Sequence, residues 1–463
     1  MMKYTVSIIA TLLLLTLSLT TQSCKKKNFA SKGNLEFSAD TVVFDTVFTT
    51  IGSTTQHFKV YNRDNKTLTI DEIELVGGAS SPFRMNFDGL QGTSFTNIEI
   101  EKNDSLYCFV EVTLNVNGGI LPMIIEDSIR FRTNGKDQYV RLAVWGQDAY
   151  FHYNDINPTG TWANDKPHVI YGVSRVLGGS TLTIPAGTDV FLHKLSALYV
   201  NQSTLIVNGT AAEKVTFQGD RLEADYDNVP GQYYGIYLDS ADNCLINHAE
   251  IKNGITGIHV ESKLGGSSNT TLTLTNTEIW NSASYGMLLF DDPKIVAENV
   301  LIHSNAVHAM IVLQGADMKF THCDLLGYGG GDGSYPAVGM RNYYTTNGVT
   351  TLTDISAEFN NCVIYGGGDE ELVMDTIDQG GVNISFLYRN CDIRLPSSNN
   401  PMFNGCLFNQ SPAFKDTGGD DFTVWSTSAL RDAGNPSFSL LKDILDVDRI
   451  DGNPDIGAYE YQP

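Results

Sequence analysis

One six-residue frame recurs seven times between residues 246 and 408, and no other feature limits the fold as tightly. It reads apolar, any, Asn or His, small, any, Ile or Leu. Copies begin at Ile246, Leu274, Ala297, Phe320, Phe359 and Tyr388, with a degenerate copy at Phe403. Their starts lie 28, 23, 23, 39, 29 and 15 residues apart. One turn of a β-solenoid needs about 20–30 residues. The interval of 39 leaves room for an inserted loop, and the interval of 15 fits a truncated end. A second frame falls between copies of the first: Gly, Ile or Met, any, apolar. It begins at Gly235, Gly257, Gly286 and Gly339, and Ala309 replaces glycine in a further copy. Each frame is a short strand with alternate residues turned inward, and parallel stacking about 4.8 Å apart sets like over like.

The stacking explains residues that would otherwise suggest chemistry. The Asn/His position belongs at a turn, where asparagine tolerates unusual φ and can bond along the stack. The next position holds Ala249, Thr277, Val300, Cys323, Cys362, Cys391 and Cys406. A slot shared by Ala, Val and Cys wants a small buried side chain, so these four cysteines form a structural column. Disulfides between adjacent turns and metal binding are the alternatives, and no C-x-x-C pair supports zinc. Further landmarks are Ser180–Thr188, Leu205–Thr210, Val215–Phe217 and the ending DRIDGNPDIGAYEY at 448–461. With these, residues 170–461 resemble the right-handed parallel β-helix proteins of the pectate-lyase-like superfamily. The resemblance implies a fold far more than an activity.

Upstream, residues 40–149 alternate in short β-rich runs: Thr41–Val47, His57–Tyr61, Leu68–Leu75, Leu106–Val116, Ile124–Arg132 and Gln138–Val144. Turn residues separate them, and the spacing predicts an antiparallel β-sandwich. Val60-Tyr61-Asn62, LTIDEIELVGG at 68–78, DSIRFRTNG at 127–135 and VRLAVWGQDA at 140–149 follow one another as in hydin-like immunoglobulin modules, which they resemble. The fold class expected is therefore all-β, an N-terminal immunoglobulin-like sandwich followed by a right-handed parallel β-helix. The expected division is 1–23 signal peptide, 24–39 lipidated tether, 40–149 sandwich, 150–169 linker, 170–430 β-helix and 431–463 closing segment. Cys108 has no partner in its domain and reads as a buried small hydrophobe.

The chain begins with Lys3 and an apolar run from Val6 to Leu19, as an export signal does. Thr21-Gln22-Ser23 before Cys24 resembles a bacterial lipobox, which implies diacylation of Cys24 and attachment to a membrane. Lys25-Lys26-Lys27 could then lie against headgroups. The expected location is the cell envelope, at the outer membrane, facing either the periplasm or the exterior. The 53 acidic residues against 30 Lys and Arg give a net charge of −23. That excludes a nucleic-acid partner, since phosphates demand cationic surface.

Many β-helix relatives cleave polysaccharides, but the Asn-Thr-Asp, His-Gly and Arg-Ile-Lys signatures of the pectin-type hydrolases are missing. Asp291-Asp292 and Asp420-Asp421 read as loop residues. The outward positions of the second frame give two columns: Tyr237, His259, Leu288, Ile311, Arg341, and Asp239, Glu261, Phe290, Leu313, Tyr343. Aromatics beside carboxylates suit sugars, whose apolar faces stack on rings. Tyr237, Asp239, His259, Glu261, Arg341 and Tyr343 are the candidate glycan-binding residues, and ordinary solvated surface is the other reading. Asp332, Asp369, Glu370 and Glu371 lie in Gly-rich acidic loops that could wrap calcium, the one cofactor indicated. The expected function is an envelope lipoprotein whose β-helix binds polysaccharide or an envelope protein without catalysis. A polysaccharide lyase or glycoside hydrolase with an unfamiliar site, and a structural spacer, are the alternatives.

Overall fold

The structure is a computed structural model and describes residues 28–30, 32–116, 123–262, 269–329, 334–449 and 452–462. The expected signal peptide, Cys24, Lys25 to Lys27 and Asp332 lie outside the described residues. Two compact units divide at Gln147 and Asp148.

The first unit is two five-stranded sheets. One is built on Gln56–Tyr61, Ser105–Val112 and Phe83–Phe87. The other is built on Thr41–Phe48, Lys136–Gln147, Met123–Thr133, Leu68–Leu75 and Ser94–Ile100. Period-two alternation sends Phe44, Phe58, Val60, Ile70, Phe83, Val110, Phe131 and Leu142 into one shared core. The sequence anticipates antiparallel pairing throughout, but Thr41–Phe48 runs parallel to Lys136–Gln147.

The second unit is a parallel β-helix with three faces. Its rung can be followed from Leu272. Leu272–Trp280 supplies the first face and, past a bend at Asn276, the second. Tyr285–Phe290 supplies the third, and Lys294–His303 begins the next rung. The first two faces make a 19-stranded sheet and the third an eight-stranded one, all pairings within them parallel. The register is the one the first frame predicts: Ile246, Leu274, Ala297, Phe320, Phe359, Tyr388 and Phe403 stand over one another. At the C-terminal end of this column the rings of Phe320, Phe359, Tyr388 and Phe403 stack with successive centroids 5.1 Å apart.

Two boundaries move. Residues 150–169, expected as a linker, contain Tyr150–Tyr153 and Gly160–Thr161, which pair in parallel with later strands as the opening rung. Trp162 stacks there on His168, centroids 4.1 Å apart, and joins the helix core. Stacked rungs end at Leu407–Phe408 rather than near residue 430. The remaining chain lies along the second face, where Phe422, Leu430, Ile444 and Ile456 bury Leu301, Leu326 and Val363. The interval of 39 contains a hairpin, Tyr343–Thr346 with Val349–Leu352.

The Asn/His column is the bend between the first and second faces. His248, Asn276, Asn299, His322, Asn361 and Asn390 all have φ between 46° and 51°, the left-handed region that asparagine tolerates best among residues with a side chain. Asn276 Nδ2 donates to Asn247 Oδ1 at 3.1 Å, and Asn299 Nδ2 to Asn276 Oδ1 at 3.0 Å. The cysteine column stands in register beside it. Cys362 Sγ donates to Asn360 O at 3.2 Å and accepts from Cys323 N at 3.4 Å. Thr277 does the same with its hydroxyl, donating to Thr275 O at 2.8 Å and accepting from Ala249 N at 3.2 Å. The slot therefore takes a small side chain, and where that side chain is Thr or Cys it also repairs the ladder at the left-handed bend, which Ala249 and Val300 do not. Burial raises the Cys362 and Cys391 thiols well above their usual range, and all four cysteines are free.

Candidate functional site

The third face brings four of the six glycan candidates together. Tyr237 in Gly235–Asp239 stands over His259 in Thr256–Glu261, and Asp239 stands over Glu261. The Tyr237 and His259 rings lie 4.2 Å apart and 2° from parallel. Tyr199, one rung earlier, stands under Tyr237 and donates its hydroxyl to Asp239 Oδ2 at 2.6 Å. The Tyr237 hydroxyl donates to Glu261 Oε2, and the Tyr234 hydroxyl meets His259 Nδ1 at 2.9 Å. Asp239 and Glu261 are buried under these aromatics. The result is a strip of half-buried rings whose polar rims are joined to two carboxylates. A depression of about 440 Å³ adjoins it, lined by Arg175, Leu195, Tyr199, Tyr234 and Tyr237.

The backbone explains the strip. A Cβ on Gly257 would collide with Ile279 Cγ2, and one on Gly286 with Ile302 Cγ2. The third face therefore starts each of these strands close against the second-face isoleucines, and the alternate residues that follow point out. Tyr199 escapes the frame search because Ala197 stands where Gly235 stands one rung later. The tolerance for alanine at Ala309 was the available signal.

Arg341 and Tyr343 do not belong to this group. The pairing sets Ile311 over Gly339, so the true frame begins at Ala337 and the expected alignment on Gly339 is two residues late. Arg341 therefore falls in the column of Asp239 and Glu261, next to Asp375, with which it forms a 3.0 Å ion pair. Tyr343 leaves the face in the hairpin and donates its hydroxyl to Asp375 Oδ2 at 2.8 Å. Tyr344 of the same hairpin packs edge-on against Phe290, 5.1 Å between centroids, and covers part of the apolar middle of the face.

The acidic loop does not gather into a cation site. Asp369 and Glu370 are exposed. Glu371 is buried, its oxygens accepting from Ala337 N and Gly368 N at 2.7 Å each, which fixes the loop. No cluster of three or more His, Cys, Asp or Glu suited to a metal occurs among the described residues.

A second cluster, which the sequence did not suggest, joins the C-terminal segment to the second face. Buried His303 donates from Nε2 to Glu278 Oε1 at 3.0 Å, and its Nδ1 lies 2.9 Å from Ser304 Oγ and 3.2 Å from Asp420 Oδ1. Burial pulls the imidazole down, but hydrogen bonds to Asp420 and Glu278 outweigh it and hold its pKa above the usual value. Ser304 donates to Asp420 at 2.6 Å. With its ring 1% exposed, His303 is a clasp rather than an accessible base.

No curated protein matches the chain. Among solved structures, the chain is similar to a family 123 glycoside hydrolase from Clostridium perfringens, at 8% identity over 26% of this chain and 30% of that one, TM-score 0.19. The chain thus spans about a third of the length of that enzyme. It is also similar to a PapD-like domain of human CEP192, at 10% identity over 28% of this chain and 94% of that one, TM-score 0.17. A third similarity is to the catalytic unit of a GH87 alpha-1,3-glucanase from Streptomyces thermodiastaticus, at 11% identity over 73% and 72%, TM-score 0.29. Residues 196–424 match the model of a family described as the right handed beta helix region, and this part of the chain is a right-handed parallel β-helix.

Proposed function

We propose that the chain is an envelope lipoprotein that binds a neutral polysaccharide along the third face of its β-helix, without cleaving it. The observation that carries this reading is the strip formed by Tyr199, Tyr237 and His259, with Asp239 and Glu261 held at its rim. The exposed parts of these half-buried rings, with the depression beside Tyr199, Tyr234 and Tyr237, offer apolar surface to the C–H face of a sugar. Asp239 and Glu261, buried and joined to the tyrosine hydroxyls, hold the rings in place, and their charge disfavours acidic chains. A repeating face suits a repeating ligand, because each rung presents the same backbone spacing.

Hydrolysis is the second reading, and one observation favours it: Asp239 and Glu261 are neighbouring carboxylates, the residue types that glycoside hydrolysis employs. Against it, both are buried and already joined to tyrosine hydroxyls. The test is a panel of neutral polysaccharides with the full chain, read by affinity electrophoresis and by reducing-sugar release. Retardation without release is expected. Tyr199→Ala with Tyr237→Ala should weaken retardation about tenfold or more, since ring stacking contributes about 0.5–1.5 kcal/mol per pair beyond buried area. Sugar release that disappears in Glu261→Gln would replace binding by catalysis, and retardation unchanged in the double variant would remove the third face as the site.

A further inference from the structure

The sandwich carries an aromatic surface of opposite electrostatic character. In the sheet of Gln56–Tyr61, Ser105–Val112 and Phe83–Phe87, one set of alternate residues is core: Phe58, Val60, Cys108, Val110, Phe83 and Met85 are all buried. The other set faces solvent, where polar residues are the norm. Here it includes Tyr107 and Phe109, 38% and 37% exposed. Their rings stack at 5.7 Å and 16°. His57, cross-strand from Phe109, lies 5.7 Å and 5.9 Å from the two rings. The three rings make one contiguous aromatic cluster, with His57 tilted 50° and 41° to the stacked pair.

Cations flank it. Lys59 Nζ stands 4.8 Å from the Tyr107 ring centre. Arg84 sits in the row beyond Phe109, cross-strand from Glu111. It is exposed and, among the described residues, in no ion pair. Glu111 accepts from the Thr55 hydroxyl at 2.7 Å. A depression of about 460 Å³ beside Phe109 is lined by Arg84, Asn86, Gln91 and Glu111. In a chain of net charge −23, two cations beside an exposed ring platform select for a negative partner.

We propose that this sheet face binds an acidic polysaccharide whose sugars carry carboxylates. Tyr107 and Phe109 take the apolar face of one sugar ring. Arg84 takes the carboxylate, for which its planar fork is matched, and Lys59 adds charge at the other end. Asn86 and Gln91 are placed for the hydroxyls. The platform needs a ligand that is flat, apolar on one side and charged at its edge.

The site is separate from the third face in residues and in the sign of its charge, so the two can be tested apart. The probe is polygalacturonate, with dextran as the neutral control, and the full chain is run by affinity electrophoresis at low and high salt. Retardation by polygalacturonate is expected, weakening as salt screens the cations, whereas any retardation by dextran belongs to the third face and should not change with salt. Arg84→Ala, and Tyr107→Ala with Phe109→Ala, should each raise the dissociation constant about tenfold or more. Tyr199→Ala with Tyr237→Ala should leave it unchanged. Should the double aromatic variant melt early, Arg84→Gln and Phe109→Leu give the same reading with less disturbance. The proposal is overturned if polygalacturonate fails to retard the chain, if retardation survives the Arg84 and aromatic variants, or if it vanishes only in the third-face variant.

Discussion

At the scale of the residue, the bends are where single side chains matter most. Asn361 combines a φ of 51° with bonds in three directions: Nδ2 to His322 Nε2 at 3.0 Å and to Asn435 O at 3.1 Å, and Oδ1 from Asn435 N at 2.7 Å. Alanine there pays the left-handed strain of about 1–2 kcal/mol and orphans buried groups at about 1–3 kcal/mol each. Asn361→Ala should therefore cost about 3–5 kcal/mol in urea unfolding. Asn361→Gly, free of the strain, should recover about 1–2 kcal/mol of it. Asp392 presents the reverse case. It stands between Val363 and Leu407 on the second face, fully buried, and its oxygens find no well-formed hydrogen bond. Burial pushes its pKa up to about 7 from 3.8. An acid raised in the folded state imposes a penalty that begins above its unfolded value and is complete above the folded one. Asp392→Val, matching Val363, should then stabilise the protein by about 2–4 kcal/mol at pH 8 and by much less at pH 4. An equal gain at both values would show that the carboxyl is not the cause.

At the scale of the element, the C-terminal segment is held to the second face by charge as well as by apolar contact. The clasp of His303 with Glu278 and Asp420 gives a pH signature with two edges. His303 is raised above 6.5 in the fold, so its contribution is complete below 6.5 and disappears as pH climbs through the higher folded value. For Asp420 the His303 hydrogen bond is the largest influence and lowers its pKa; for Glu278 burial opposes but does not cancel the same effect. Their contribution is present above 3.8 and 4.5 respectively and is lost as pH falls through the folded values. Thermal unfolding should thus peak in mildly acidic buffer. His303→Gln should flatten the loss on the alkaline side, and an unchanged profile would remove the clasp from the explanation. How far such features can be read from sequence differs by element. The rung was legible because stacking forces one residue type to recur at one position, as Phe320, Phe359 and Tyr388 do. The clasp was not, because Glu278 and Asp420 are 142 residues apart and Asp420 lies outside the repeating frame. Tyr237, Asp239, His259 and Glu261 were legible as a group because two consecutive rungs share a frame. Arg341 was misplaced because Gly339 imitates the frame glycine two residues late, directly before the inserted hairpin. The opening rung at 150–169 was hidden by its lack of either frame.

At the scale of the whole molecule, one chain carries two aromatic surfaces built by different geometries. On the β-helix, rings come from successive rungs and are aligned by parallel register, and acids surround them. On the sandwich, rings come from alternate residues of one strand and from its antiparallel neighbour, and cations flank them. The contrast gives the binding measurements their meaning, since neutral and acidic polysaccharides should each lose affinity to a different pair of variants. The ends of the stack have a further effect on behaviour in solution. A parallel solenoid can lengthen by accepting foreign backbone on its terminal turn, as an amyloid fibril does. Here Phe403–Asn404 and Leu407–Phe408 are two residues each, so the terminal turn offers very little template. Copies of the chain meeting end to end at these strands would gain few backbone hydrogen bonds, so the brevity of Phe403–Asn404 and Leu407–Phe408 works against filament growth there.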